Sequence, residues 1–180
     1  MNFIKSILLS LALISTSFAE PIKDMFGVSF GDKFDVTKGI KVKTLFRDDL
    51  DVYQFVPSIP YRAFVTYYVM ITPKTHIIYG IYAKSSSESN HQLLIDEEKL
   101  IKIIILKKYG MEPFYAGFIT NIKMKAADGD TLIYNTPVKH THLEYTLELV
   151  YRNQYFAQQA IRERDELTVE AAKVDSSGLW

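Results

Sequence analysis

The sequence predicts an α+β fold: a mainly antiparallel sheet of about five or six strands, the commonest sheet size, with a mid-chain helix over residues 91–109 and a C-terminal helix over residues 153–174. Three observations carry the prediction. Residues 61–85, YRAFVTYYVMITPKTHIIYGIYAKS, are dominated by β-branched and aromatic side chains, which fit a pleated surface better than a helix. Residues 142–151 alternate, with Leu143, Tyr145, Leu147, Leu149 and Tyr151 on one side and His142, Glu144, Thr146 and Glu148 on the other, as expected of an antiparallel strand with one wet face. The stretch after residue 90 carries helix punctuation, with Asp96, Glu97 and Glu98 early, Lys102, Lys107 and Lys108 late, then Gly110 and Pro113. That charge order complements the helix dipole, and glycine followed by proline is a stop signal.

Residues 1–19 read as a signal peptide. Lys5 supplies the positive region, ILLSLALI the apolar core, and Ser17-Phe18-Ala19 places small residues at the two positions that a signal peptidase reads. Cleavage is expected after Ala19, with the product in the periplasm or secreted. The apolar run is shorter than the roughly 20 residues of a bilayer span, and no transmembrane segment is expected after cleavage. Residues 20–180 are expected to form one domain, within the usual size of about 100–200 residues. The chain has no cysteine. Disulfides, thiolate metal sites and cysteine nucleophiles are therefore excluded, and packing must supply the stability. Its 21 basic and 21 acidic residues balance, which gives no electrostatic footprint for nucleic acid.

Residues 20–43 read as an irregular segment whose glycines, Gly27, Gly31 and Gly39, let Phe26, Phe30 and Phe34 drop into a core. Residues 45–57 read as a first strand, strongest over 52–56 and ended by Pro57 and Pro60. A central hairpin follows, with arms 63–72 and 75–84 joined at Pro73-Lys74, since proline cannot serve inside the ladder. The polar run 84–90 leads into the helix, with Ser89 and Gln92 at capping-box spacing. On that helix, Leu93, Leu100, Ile101, Ile104 and Tyr109 are the expected buried face, widened by Ile103 and Ile105. Asp128-Gly129 marks a turn between arms 119–126 and 131–135, the second ended by Thr136-Pro137. The last helix has a thin apolar stripe of Phe156, Ala160, Leu167, Ala171 and Val174, which packs lightly on the sheet or meets another chain.

Several motifs carry chemistry elsewhere. Gly27-Val28-Ser29-Phe30-Gly31 matches G-x-S-x-G, but a nucleophile elbow needs a preceding buried strand and an alternating strand–helix plan. A glycine-flexed loop is the better reading. His140, His142 and Glu144 share one strand face, and two imidazoles with a carboxylate suit zinc; the simpler reading is the polar side of an amphipathic strand. Asp128-Gly129-Asp130 lacks the further ligands of a calcium loop. Asp48, Asp49 and Asp51 read as a solvated turn. His76 and His91 stand alone.

The tyrosines are the remaining feature. Tyr53, Tyr67 and Tyr82 stand in the first strands, and any face left uncovered would be a recognition surface. Complete cover by two helices on two faces is the simpler reading. The function expected first is that of an exported, non-enzymatic protein whose partner is another protein, with Tyr67, Tyr82 and Tyr53, or the loop 84–90, as its contact. Inhibitors, immunity factors and envelope-assembly accessories share this size and plan, and no cofactor is expected. One alternative is a small metal-dependent hydrolase using His140 and His142 on zinc. The other is a homo-oligomeric structural subunit joined by the C-terminal helix.

Overall fold

The computed structural model describes residues 25–42, 51–88, 90–109, 112–115, 122–125, 131–139 and 144–177. The fold is α+β. Strands β1 (Gly39–Val42), β2 (Asp51–Phe55), β3 (Thr66–Ile71) and β4 (Ile78–Lys84) form an up-and-down meander, followed by helix α1 (His91–Tyr109). A second meander, β5 (Glu112–Tyr115), β6 (Ile122–Lys125), β7 (Thr131–Lys139) and β8 (Tyr145–Asn153), is followed by helix α2 (Gln154–Ser177). The two meanders join at β4 and β8 into one eight-stranded antiparallel sheet of order β1-β2-β3-β4-β8-β7-β6-β5. Each helix crosses to the other meander: α1 packs on β7 and β8, and α2 on β4 with a lighter contact to β8.

Alternation in the strands sorts their side chains onto two faces. Tyr67, Val69 and Ile71 of β3 and Leu147, Leu149 and Tyr151 of β8 face one way, where they meet Leu94 and Ile101 of α1. Phe34 is buried in the same cluster, and Phe26 and Phe30 pack against it, so the N-terminal segment seats its aromatics as expected. Tyr68 and Met70 of β3, with Val52, Tyr79 and Tyr82, face the other way, where they meet Ala157 and Ala160 of α2. The register shifts between Met70 and Ile71, so that Met70 pairs with Gly80 and Ile71 with Ile78. Tyr79 stands in the extra position and joins Tyr82 on the α2 face.

The central hairpin is present with shorter arms than expected. Residues 63–65 leave the strand because the Tyr67 hydroxyl, itself inside the core, donates to the Tyr61 and Phe64 carbonyls at 2.9 and 3.2 Å and accepts from the Tyr61 N–H at 2.9 Å. Residues 72–77 form the connection. Ile77 N–H donates to Thr72 Oγ1 at 2.8 Å, and His76 takes a left-handed φ of 58°. The N-terminal loop lies along the start of β4, where the Gly31 N–H reaches the Ile78 carbonyl at 3.0 Å and the Ile78 N–H reaches Asp32 at 2.8 Å.

Four expectations need correction. Residues 39–42, read as irregular, form edge strand β1, which pairs with β2 and is tied to it by Lys41 and Asp51. Pro137 does not end its strand: β7 runs on to Lys139. Among the described residues Pro137 pairs with Leu147 of β8 alone, an arrangement in which a missing N–H is tolerated. The polar side of β8 is not wet throughout, since Thr146 is 1% exposed and Val150 packs into the α2-face cluster. Leu93, Leu100, Ile103 and Ile104, read as part of the buried face of α1, are exposed, while Ile101 enters the core as expected and Leu94 joins it; the side chains of Ile105 and Tyr109 lie outside the described residues.

Candidate functional site

The displaced apolar face of α1 defines the candidate site. Seven residues are close to two helical turns and four to one turn, so Leu93, Leu100 and Ile104 form a line along the outside of the helix, with Ile103 one turn from Leu100. Their exposures are 57%, 38%, 41% and 48% in the order Leu93, Leu100, Ile104, Ile103. Single exposed leucines are ordinary, and it is the alignment of these side chains on one helix face that makes it the candidate.

Anchors below the helix, at its start and at one flank hold that face outward. Below, Leu94 and Ile101 enter the core, and Lys102 pairs with the buried Glu98. At the start, Asn90 Oδ1 caps the helix by accepting from the Gln92 N–H at 3.1 Å; Ser89, expected as the cap, lies outside the described residues. His91 stacks on Tyr145 with centroids 4.4 Å apart. At the flank, Glu97 accepts from the Tyr61 hydroxyl at 2.8 Å and pairs with Arg62 at 3.3 Å. Burial and that bond to Glu97 both push the Tyr61 hydroxyl pKa up, so it stays protonated and remains the donor.

The polar run 84–90 is no free loop. Ser85 N–H donates to the Leu147 carbonyl, Leu147 N–H donates back to Ser85 Oγ, and Glu88 and Tyr145 exchange backbone bonds at 2.9 and 3.0 Å. The segment continues the β4–β8 pairing past Lys84 and so fixes where α1 begins.

The tyrosines expected at a contact surface stand elsewhere. Tyr67 and Tyr82 are each 4% exposed. Tyr67 is surrounded by Phe26, Phe55 and Phe64. Tyr82 stacks on Tyr68 at 5.4 Å, and burial, with Glu148 beside it, drives its pKa far up. Both rings are therefore covered in this structure. Tyr53 is half-buried, tilted on Phe34 at 5.8 Å. Of the metal candidates, His140 and His142 lie outside the described residues, and Glu144 is exposed ahead of β8. Among the described residues no three His, Asp or Glu side chains cluster as metal ligands. Asp48, Asp49 and the Asp128–Asp130 turn also fall outside them. Ser29 sits in the N-terminal loop between Phe26 and Gly27, both left-handed, and Gly31, which matches the glycine-flexed reading. No described helix is long and apolar enough to cross a membrane.

Sequence reasoning missed the α1 face because LIDEEKLIKIIIL has apolar residues on more than one side. The missed signal was the acid at 98. A line through Leu94, Glu98 and Ile101 looks too polar to be a core line, yet the Lys102 pairing lets Glu98 lie inward. Comparison of the chain with family models, curated proteins and solved structures found no match.

Proposed function

We propose that this chain is an exported, non-enzymatic accessory that binds another protein through the outer face of α1. The observation that carries the reading is the aligned exposure of Leu93, Leu100, Ile103 and Ile104 on a helix fixed from below, at its start and at its flank. A preorganised apolar face loses little entropy on binding, so its contacts convert to affinity efficiently. The leader-like residues 1–19 and the absence of cysteine fit an exported chain stabilised by packing. The test is crosslinking and mass spectrometry in producing cells, comparing the native chain with Leu93→Asp/Leu100→Asp. Those exposed positions tolerate charge, with a stability change within about 0.5 kcal/mol, so a folded variant that loses its crosslinked partner supports the reading. An unchanged set of crosslinked partners refutes it.

A second reading, a homo-oligomeric subunit joined through α2, has its own observation. Every residue from Asp165 to Val174 is exposed, and Leu167, Ala171 and Val174 continue the helical line of the docked Ala160. Leu167→Asp/Val174→Asp tests it by light scattering: a fall in mass supports self-association, and an unchanged mass rejects it.

A further inference from the structure

Helix α2 is held on the sheet by two alanines and a carboxylate. Its first turn is capped by Asn153 Oδ1, which accepts from the Phe156 N–H at 3.1 Å. Its apolar side chains buried on the sheet are Ala157 and Ala160, with Phe156 half-buried against the same cluster. Beyond them the buried residue is an acid, Glu163, at 6% exposure. Its carboxylate enters the β3–β4 connection. Oε2 accepts from the backbone N–H groups of Lys74 and Thr75 at 2.8 and 3.0 Å. Oε1 accepts from the Thr75 hydroxyl at 2.6 Å and from Gln159 Nε2 at 2.8 Å. Farther out, Lys74 Nζ reaches Glu166 at 3.1 Å and Glu170 at 2.8 Å. The connection is shaped to receive this group, for it turns two successive N–H donors and a hydroxyl toward one carboxylate, a backbone arrangement that favours anions.

We infer that α2 is a latched cover over the face of Val52, Tyr68, Met70, Tyr79 and Tyr82, with the Glu163 carboxylate in the β3–β4 connection as its latch. An element with few buried apolar side chains of its own and a long exposed end opens ahead of the globular core. Opening is local, because the other face of the sheet, with α1 upon it, is a separate packed cluster. The open state presents a surface dominated by tyrosine, including Tyr82, that the closed chain conceals. The inference is independent of the α1 face, which is exposed in both states.

The chain has no native cysteine, so single introduced thiols report opening without background. Ala157→Cys stands on the sheet-facing side of α2 itself, and Ala83→Cys, at a fully buried position on the α1 face, is the control. Each is combined with Glu163→Gln, and in a second pair with the milder Thr75→Val, which removes the hydroxyl and leaves the carboxylate. Thiol-reagent labelling under native conditions is the readout. The expected result is labelling at 157 accelerated at least tenfold by Glu163→Gln and less by Thr75→Val, with the thiol at 83 as slow as before. Equal acceleration at both positions would mean global loosening and overturn the inference. No acceleration at 157 in either pair would overturn it as well. Should Glu163→Gln not fold, the Thr75→Val pair decides by the same two criteria.

Discussion

The two helices solve the same problem with different physics. Helix α1 sinks Leu94 and Ile101 into the core, at 8% and 4% exposure, and leaves an apolar line outside. Helix α2 buries two alanines and a carboxylate, and its outer half is exposed. Apolar burial is non-directional and stabilises by area, about 1.5–3 kcal/mol for a fully buried leucine or isoleucine side chain. A hydrogen-bonded carboxylate is directional and depends on its charge. The comparison teaches that α1 is a fixed platform and α2 a conditional one, although both are long helices that follow a four-stranded meander.

The largest expected effect breaks the platform. Ile101→Ala leaves a cavity beneath α1 and should cost about 2–5 kcal/mol, read as a lower denaturant midpoint with little change in slope. A loss below 1 kcal/mol would mean that α1 is not anchored as described.

Next is the latch itself. Burial alone would raise the Glu163 pKa, but bonds from Thr75, Gln159 and the Lys74 backbone outweigh it and hold the carboxyl at about 2, below its ordinary 4.5. A depressed folded value means that its stabilisation is complete above pH 4.5 and drains away as pH falls toward 2. The groups facing it from the connection are neutral donors, and the Lys74 ammonium turns instead to Glu166 and Glu170. Glu163→Gln should therefore cost on the order of 3 kcal/mol at neutral pH and flatten the acid limb of the stability profile between pH 4.5 and 2. An acid limb unchanged by the substitution would contradict the assignment.

Gly31 sharpens the contrast at the start of α2. Its φ is 88°, and a Cβ there would stand 2.7 Å from Phe156 Cζ. Gly31→Ala combines left-handed strain with that overlap, and a loss of about 1–3 kcal/mol is expected in thermal unfolding. The smallest effect belongs to Lys74→Met. Its ammonium partners Glu166 and Glu170 are about 60% exposed, and exposed ion pairs contribute about 0–1 kcal/mol. A larger loss would move the latch from Glu163 to the lysine.

Much of this architecture is legible in the residues. The α1 boundaries at 91 and 109 follow from the charge order and the stop signals, and the aromatic run 61–85 sits at the middle of the sheet because its side chains pack on both faces. What stayed hidden depends on tertiary partners. Nothing local says that Glu98 turns inward, which rotates α1 and carries Leu93 and Leu100 outside. Nothing local links Glu163 to Thr75, 88 positions away in the chain. The burial of Tyr67 stayed hidden for a related reason: its hydroxyl serves the backbone of residues 61 and 64.

The platform account is tested most directly by a photoreactive residue placed at Leu100 on α1 and, separately, at Leu167 on α2, each activated in producing cells. The account predicts a crosslink from position 100 to a second, different protein and none of that product from position 167. Crosslinks from position 167 alone, or from position 100 to no protein at all, would contradict it.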